Sequence, residues 1–238
     1  MSLADGLTFF HKFDSLTPDY PTSGLTTGNP GSTSDPSVSG GVATFGTGAG
    51  GKAKYWQLDS GVFFTDGTAD FTLAFRGKTT TSHANANTMI SAGPSGGGRN
   101  ATLGQASDVS NRWHLEQTTT GAECTTGADD WANNTTVTLV ARRSSSACTL
   151  WIAGVNETSG DSYAGANLDT GTIIRVTIGA LQDGTEQLDG EIEFVAVWNR
   201  ALYDAEIATV TEAQIASDLG GGGVSIPVVM HHRRMMNQ

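Results

Sequence analysis

The chain has 238 residues, of which 37% are hydrophobic, only 16% are charged and 31 are glycine. This composition suits short strands joined by small-residue turns in one β domain, and it does not suit a long helical protein. The formal net charge of −11 repels phosphate groups, so we expect no binding to nucleic acid and none to an anionic membrane surface.

The first residues lack a basic segment followed by an apolar run, which a secretory leader would show. No apolar stretch approaches the roughly 20 residues that a membrane helix needs. The sequence therefore predicts a chain that is made in the cytoplasm without a leader.

Apolar segments separated by glycine, proline and serine predict strands along the first half of the chain. The clearest is at 70–76, where Phe71, Leu73 and Phe75 share one face, as in a half-buried strand. Residues 14–41 are rich in Pro, Gly, Ser and Thr and predict a loop or an irregular strand. The other strands predicted here are residues 7–13, 42–45, 53–58, 61–64, 88–92 and 101–104.

In the second half, the turn sequence RSSSA at 143–147 predicts a hairpin between 136–142 and 148–152. The segment 191–198 places Ile192, Phe194 and Ala196 opposite Glu193, Val195 and Val197. Because both of these faces are largely apolar, the segment predicts a central strand. Further strands are predicted at 112–118 and 172–178.

One segment predicts a helix, beginning at Asp204, which can cap it, and reaching Ile215. Ile207 and Val210 recur at helical spacing and can pin one face to the strands. The glycines at 220–223 end this helix and form a flexible hinge. We therefore predict an all-β, two-sheet antiparallel jelly-roll sandwich over residues 1–219, with one short C-terminal helix, and a hinge and extended tail over residues 220–238.

Residues 187–207 read QLDGEIEFVAVWNRALYDAEI, and this segment resembles the last core strand and corner of the concanavalin A-like, laminin G-like (pentraxin-like) jelly-roll superfamily. Segments 70–75, 137–142 and 150–155 support the resemblance, which covers residues 7–215. The corner also has a physical interpretation. Gly190 lets the strand approach a neighbouring backbone, Arg200 can bond exposed carbonyls, and Asp204 can accept hydrogen bonds from the amides of the helix start.

The resemblance includes glucanases, whose catalytic strand carries acidic residues at alternate positions. Glu191 and Glu193 alternate here, but Val195 stands where a third carboxylate is expected. Ser95 lies in a Gly-x-Ser-x-Gly pattern, but the helix that must follow a nucleophile elbow is not predicted. We therefore expect a protein that is not an enzyme, with a glycoside hydrolase as the less favoured alternative.

No cofactor is required by this interpretation, although the resemblance implies calcium as a candidate ligand. Calcium takes six to eight oxygen ligands, usually including carboxylates. Asp14, Asp59 and Asp189 stand at predicted strand ends where such a site could form. The alternative is that these are solvated acids on an acidic surface.

A glycan site requires an aromatic ring beside amide or acid groups, because sugar CH faces pack on rings while hydroxyls need polar partners. Trp131 in a predicted loop, flanked by Asp129, Asp130 and Asn133, fits this requirement, and Tyr163 is a second candidate. The alternative is that Trp131 anchors its loop to the sandwich. The tryptophans in predicted strands are expected in the core: Trp56, Trp151 and Trp198.

The sequence contains two cysteines, Cys124 and Cys148, which lie in the same central region, near predicted neighbouring strands. They could form one disulfide, but the favoured interpretation is two buried thiols.

The segment 224–238 differs from the rest, because it combines an apolar, β-prone run with two arginines. It predicts a peptide that docks on a partner, and a disordered end is the alternative. The residues expected to dock are Ile226, Val228, Val229, Arg233 and Arg234.

Together, an acidic, Gly-rich, lectin-like domain and an attachment tail resemble structural proteins of tailed bacteriophages, such as head decorations, tail components or fibres. This resemblance implies other virion proteins and further copies of the chain as partners, host glycans as candidate ligands, and a location on the virion surface after synthesis in the host cytoplasm. The alternative is an extracellular or surface carbohydrate-binding module.

Overall fold

The computed structural model describes residues 2–14, 19, 25–28, 36–46, 55–59, 69–80, 87–93, 101–105, 112–117, 122–127, 132, 134–145, 147–162, 175–181 and 184–220. Within them, the strands are β1 (Leu7–His11), β2 (Leu25–Gly28), β3 (Ser37–Ser39), β4 (Val42–Phe45), β5 (Tyr55–Asp59), β6 (Phe71–Thr79), β7 (Asn87–Gly93), β8 (Ala101–Gln105), β9 (Trp113–Gln117), β10 (Ala122–Thr126), β11 (Val137–Ser144), β12 (Ala147–Ile152), β13 (Val155–Asn156), β14 (Thr158–Asp161), β15 (Arg175–Ile178) and β16 (Gly190–Trp198). Two helices follow, α1 (Asp204–Ile207) and α2 (Glu212–Gly220).

The strands form two antiparallel sheets. The first sheet has the order β13-β12-β11-β6-β16-β4-β3, with β1 also paired to β16. The second sheet has the order β14-β10-β9-β8-β7-β15-β5-β2. The predicted two-sheet jelly-roll sandwich is therefore confirmed, as are the central position of β16 and the hairpin of β11 and β12.

The main core lies between the sheets. Phe71, Leu73 and Phe75 of β6 all point into it, as the alternation predicts, and meet Leu103 and Trp113 of the second sheet in one buried cluster. Burying a side chain of this size contributes about 1.5–3 kcal/mol, so these strands hold the sheets together.

A second apolar cluster covers the outer face of the first sheet. It joins Ala74 and Val140 of that sheet to Leu3 near the N-terminus and to Ile207 and Ile215 of the helices. Trp198 belongs to this cluster and donates its indole N–H to the Leu3 carbonyl at 2.6 Å. The helices therefore pack on the sandwich from outside.

The predicted alternation of β16 fails at Glu193. The pairing with β6 shifts register between Ile192 and Phe194, so a β-bulge lies at Glu193. Because of the extra residue, Ile192 joins Val195 in the main core while Phe194 faces the outer cluster. The prediction that Ile192 and Phe194 share a face is wrong for this reason.

The segment predicted as one helix is divided into two. The β-branched run Thr209-Val210-Thr211 disfavours helix, and Thr211 starts α2 by accepting the Gln214 amide on its hydroxyl at 3.1 Å. Among the described residues, no helix is long and apolar enough to cross a membrane.

The cap of the first helix also differs from the prediction. Glu206, rather than Asp204, accepts the Tyr203 amide at 2.8 Å, while Asp204 bonds the Arg142 guanidinium. The predicted irregular region at 14–41 contains the short strands β2 and β3. The strand predicted at 61–64 lies outside the described residues.

Candidate functional site

The outer face of the second sheet carries a continuous row of polar side chains. Residues at alternate positions of these strands enter the main core, except in β7, where a register shift places both Met89 and Ile90 in it, and the residues between them point away from the core. The strand pairings place these outward residues directly opposite one another across six strands. We call this set the polar row, and its members in spatial order are Gln57, Thr177, Ser91, Thr102, Glu116 and Glu123.

The middle of the polar row is buried and internally bonded. Ser91 and Thr102 share a hydrogen bond of 2.6 Å between their hydroxyls, and Thr177 donates its hydroxyl to the Ala180 carbonyl at 2.6 Å. Because these hydroxyls are satisfied inside the protein, the middle of the row serves the sheet rather than a ligand.

One end of the polar row reaches the surface. Glu123 is exposed, and the Glu116 side chain directly opposite it is 17% exposed. His114 lies beside them, with its Nδ1 3.7 Å from a Glu116 carboxylate oxygen, and Thr125 is the cross-strand partner of His114. We call His114, Glu116, Glu123 and Thr125 the acidic end.

The acidic end brings several hydrogen-bond acceptors together on paired strands whose backbone is held by hydrogen bonds. Two carboxylates directly opposite each other on neighbouring strands repel, so a donor placed between them is favoured. Ser162 fixes the strand edge here, accepting the Glu123 amide on its hydroxyl at 2.9 Å and donating to the Glu123 carbonyl at 3.1 Å. The arrangement suits a ligand that donates hydrogen bonds, and it disfavours an anionic one.

The two glutamates that raised the glucanase question lie on the other sheet. Glu191 pairs with Lys78 at 3.0 Å and Glu193 pairs with Arg76 at 2.6 Å, on the outer face of the first sheet. They do share a side of the strand, as predicted. Each carboxylate, however, is bound to its own cation.

A cleft of about 220 Å³ lies on that side of the molecule, between the β12–β13 turn and the connection from α1 to α2. Ligand pockets usually have volumes of about 300–1,000 Å³, so this cleft is small for a ligand site. Its lining residues are Thr138, Ala153, Gly154, Ile207, Ala208, Val210 and Thr211.

Comparison with known families decides the relationship that the fold suggests. The family described as the concanavalin A-like lectin/glucanases superfamily matches residues 50–208, which is more than half of the chain. The chain belongs to this superfamily. No curated protein matches it.

Solved structures of the same fold include a sialidase and the binding domain of a neurotoxin. A Trypanosoma rangeli sialidase in complex with 2,3-difluoro-KDN is 15% identical, with a TM-score of 0.61, over 90% of this chain and 33% of that one. The binding domain of botulinum neurotoxin serotype G is 12% identical, with a TM-score of 0.61, over 85% of this chain and 50% of that one. This concanavalin A-like chain therefore spans a third to a half of those structures.

A third structure is matched over nearly its whole length. It is domain 4 of AbnA, a GH43 extracellular arabinanase from Geobacillus stearothermophilus, in complex with arabinotriose. The identity is 16% and the TM-score 0.54, over 85% of this chain and 96% of that one. At such identities the likeness shows a shared fold alone.

In this concanavalin A-like domain, the glycan loop predicted from the sequence is only partly described. Trp131, Asp129, Asp130, Asn133 and Tyr163 lie outside the described residues. Asn134, which follows the segment 129–133 and has a positive φ of 58°, donates its amide to the Thr79 carbonyl at 2.8 Å. The strand that the loop enters is therefore fixed at the end of β6.

The predicted metal ligands lie in separate places. Asp14 pairs with Lys12 at 2.9 Å, and Asp189 accepts the Thr80 hydroxyl at 2.7 Å. Asp59 stands opposite Arg175 in the pairing of β5 and β15, and its side chain is not described. Within the described ranges, neither Asp14 nor Asp189 belongs to a group of three metal-ligating side chains.

The remaining predictions have mixed outcomes. The tail residues Ile226, Val228, Val229, Arg233 and Arg234 lie outside the described residues. The expected packing of the strand tryptophans is confirmed: Trp56 lies in the main core, and Trp151 and Trp198 lie in the outer cluster.

The polar row itself was not foreseen from the sequence. Each of its residues looks like an ordinary outward position of one strand, and only the register of six strands brings them into line. The sequence did contain one sign of an outward polar face on these strands. The polar residues alternate with apolar ones that enter the core, such as Leu103, Leu115 and Cys124.

Proposed function

We propose that this concanavalin A-like domain is a non-enzymatic glycan-binding domain whose ligand contacts the acidic end on the outer face of the second sheet. The observation that carries the proposal is the meeting of two carboxylates, Glu116 and Glu123, at the accessible end of a polar row whose middle is buried and internally hydrogen-bonded. Sugar hydroxyls donate well to carboxylates, and such charge-assisted hydrogen bonds are stronger than neutral ones.

The electrostatics favour a neutral ligand over an anionic one. The chain carries a net charge of −11, and the acidic end adds two carboxylates at the point of contact. Phosphate groups and anionic lipids are repelled by such a surface, whereas hydroxyl groups are not. The arabinotriose bound by a structure of the same fold supports the choice of a sugar.

The proposal can be tested with a glycan array followed by calorimetric titration of arabinotriose and of any sugar that the array identifies. We expect the Glu116→Gln, Glu123→Gln double variant to bind at least about 10-fold more weakly, because hydrogen bonds to charged groups are worth about 1.5–3 kcal/mol. The matched control is the Glu191→Gln, Glu193→Gln double variant, which changes two carboxylates on the opposite sheet.

Three outcomes would contradict the proposal. The first is no binding to any sugar, and the second is unchanged binding by the Glu116, Glu123 double variant. The third is release of shorter sugars from a bound oligosaccharide, which would show catalysis. Unfolding midpoints of the variants, measured in parallel, separate lost binding from lost folding.

We also propose that the domain is a structural component of a virus particle, displayed on its surface after synthesis in the host cytoplasm. The supporting observation is the sequence after the glycines at 220–223, where Ile226, Val228 and Val229 precede Arg233 and Arg234. Other particle proteins and further copies of this chain are the proposed partners. An extracellular carbohydrate-binding module is the alternative that shares the glycan site.

Deletion of residues 224–238 tests the structural role. We expect the full chain to be oligomeric or to sediment with particles, and the truncated chain to be monomeric and to remain in the supernatant. Light scattering after size-exclusion chromatography measures the first property. Normal assembly of the truncated chain would contradict the docking role of the tail.

A further inference from the structure

The two sheets come together along one edge, which we call the seam and which consists of β10, β12 and β14. Cα atoms of β10 and β12 lie within 8 Å of each other, although packed sheets are usually about 10 Å apart. The Cys148 amide donates to the Asp161 carboxylate at 2.9 Å, and the Leu150 amide donates to the Thr158 hydroxyl at 2.8 Å. These contacts tie β12 of the first sheet to β14 of the second.

Each sheet contributes one cysteine to the interior of the seam. Cys124 of β10 and Cys148 of β12 are both at most 1% exposed, and both belong to the main core. Their sulfur atoms and a carboxylate oxygen of Asp161 all lie within 4.8 Å of one another. Both cysteines carry free thiols, and their burial agrees with the interpretation favoured from the sequence.

This arrangement meets the main requirement for a disulfide, which is that the two side chains converge. A disulfide joins Cα atoms about 4.4–6.8 Å apart and sulfurs about 2.05 Å apart. The Cys124 and Cys148 sulfurs lie within 4.8 Å of each other across the seam, so forming the bond requires them to approach by less than about 3 Å.

We infer that Cys124 and Cys148 form a disulfide between the two sheets when the chain folds in the presence of a small-molecule disulfide such as oxidised glutathione. The deprotonated sulfur of one cysteine attacks a sulfur of oxidised glutathione, forming a mixed disulfide and releasing one glutathione thiolate. The second cysteine, deprotonated in turn, attacks the protein sulfur of that mixed disulfide and releases the second glutathione thiolate. The protein loses two electrons and two protons, and one oxidised glutathione becomes two thiols.

The timing follows from burial. In the folded chain, burial raises the pKa of the Cys148 thiol well above its usual value, and the neighbouring Cys124 thiol raises it further. The thiolate is the reactive form, so the Cys148 thiol is slow to react once the core has closed, and burial keeps reagents away from Cys124 as well. We therefore place the exchange in folding or in opening of the seam, and we expect the finished bond to be shielded from reductants.

A metal ion is the competing occupant, because two thiolates and the Asp161 carboxylate could serve as ligands. Two features favour the disulfide. One Asp161 oxygen already accepts the Cys148 amide, and the part of the chain that the structure describes offers no fourth side-chain ligand in this group. A metal would also require two buried thiolates, although Arg143, opposite Cys148, supplies only one positive charge beside them, whereas a disulfide is neutral.

The experiment refolds the full chain from denaturant either with a reduced and oxidised glutathione mixture or with a reductant, and then blocks free thiols. We expect the oxidised chain to take up no blocking reagent and to weigh about 2 Da, the mass of two hydrogens, less than the reduced chain before blocking. Digestion without reductant should yield a peptide linking Cys124 to Cys148. We expect its melting temperature to rise by about 6–12 °C over the reduced sample, because a disulfide adds about 3 kcal/mol and each kcal/mol shifts a domain of this size by 2–4 °C.

The double variant Cys124→Ala, Cys148→Ala is the matched control, and its melting temperature should not depend on the glutathione mixture. Two free thiols in the oxidised wild-type sample would overturn the inference. So would one bound zinc ion per chain, seen by native mass spectrometry after refolding with zinc and protecting both thiols from alkylation. The mass measurement on the wild-type chain decides the matter even if the variant does not fold.

Discussion

The Arg200 guanidinium donates to both oxygens of the Glu206 carboxylate, with each hydrogen bond at 2.7 Å. Arg200 also donates to the carbonyls of Asp5 and Ser2, at 2.6 and 3.2 Å. This one side chain therefore ties the start of α1 to the N-terminal segment, and Glu206 completes the link by accepting the Tyr203 amide. We call this set of contacts of Arg200 and Glu206, at the corner after β16, the latch.

Replacing Glu206 with Ala should open this latch. The Glu206 side chain is only 8% exposed, so its loss leaves the Arg200 charge partly buried without its partner and should cost about 2–3 kcal/mol. Urea unfolding at neutral pH measures the cost. The control is Asp204→Ala, which removes a carboxylate that is 72% exposed and should cost less than about 1 kcal/mol. Equal losses in the two variants would show that the latch does not stabilise the fold.

The contacts of the latch were only partly predictable from the sequence. The physical interpretation of the corner predicts that Arg200 bonds carbonyl groups, and it does so. The same interpretation names Asp204 as the cap, because Asp is favoured at a helix start. The competing choice, Glu206, wins because its longer side chain reaches both Tyr203 and Arg200 at once. Such reciprocal contacts depend on how the chain turns between Arg200 and Glu206, which helix propensity does not include.

The same limit applies to the faces of the strands. Alternation predicts the inward face of β6 correctly, but it fails in β16 because the bulge at Glu193 reverses the side that each later residue occupies. The acidic end could not be predicted from the sequence for a related reason. Glu116 and Glu123 are neighbours only because β9 and β10 pair in one particular register, and no local pattern states that register.

Replacing Gly190 with Ala should force β16 away from β6. A Cβ at this position would overlap the backbone carbonyl of Lys78, which cannot move without breaking the strand pairing. Overpacking of this kind costs about 1–3 kcal/mol, which thermal unfolding measures as a drop in melting temperature of roughly 2–12 °C. Gly46→Ala is the matched control, because a Cβ there meets nothing within 4 Å. A Gly190→Ala variant as stable as Gly46→Ala would rule out the close approach.

Thr72 joins β6 to the corner through its hydroxyl. It donates to the Arg200 carbonyl at 2.9 Å and accepts the Leu202 amide at 3.0 Å, and it is fully buried. Thr72→Val keeps the shape and removes both bonds, so it should cost about 1–3 kcal/mol by leaving the Leu202 amide unsatisfied. Chemical denaturation measures this loss. Thr44→Val, at an exposed position of β4, is the control and should change stability by less than about 0.5 kcal/mol.

His11 should make the fold sensitive to mild acid. It is fully buried, and its Nδ1 accepts a hydrogen bond from the Phe13 amide at 3.3 Å. Nδ1 must therefore carry no proton, so the ring is neutral. Burial lowers the pKa of His11 below its usual value of 6.5, although Asp19, 3.5 Å away, opposes the shift. As the pH falls below about 6.5, His11 is therefore protonated in the unfolded chain before it is protonated in the folded chain. The free energy of unfolding should decrease over this range and become constant once the pH is below the His11 pKa of the folded state.

The measurement compares the free energy of unfolding in urea at pH 7.5 and pH 5.5, for the wild type and for His11→Gln. We expect the wild type to be less stable at the lower pH, and we expect His11→Gln to lose most of that difference while being less stable at both pH values. Acids such as Glu206 contribute in a separate range, because the Arg200 guanidinium lowers the pKa of Glu206 and the stability from this pair is lost only as the pH falls through that lowered pKa. If the variant kept the full pH difference, another group would be responsible, and the neutral state assigned to His11 would be wrong.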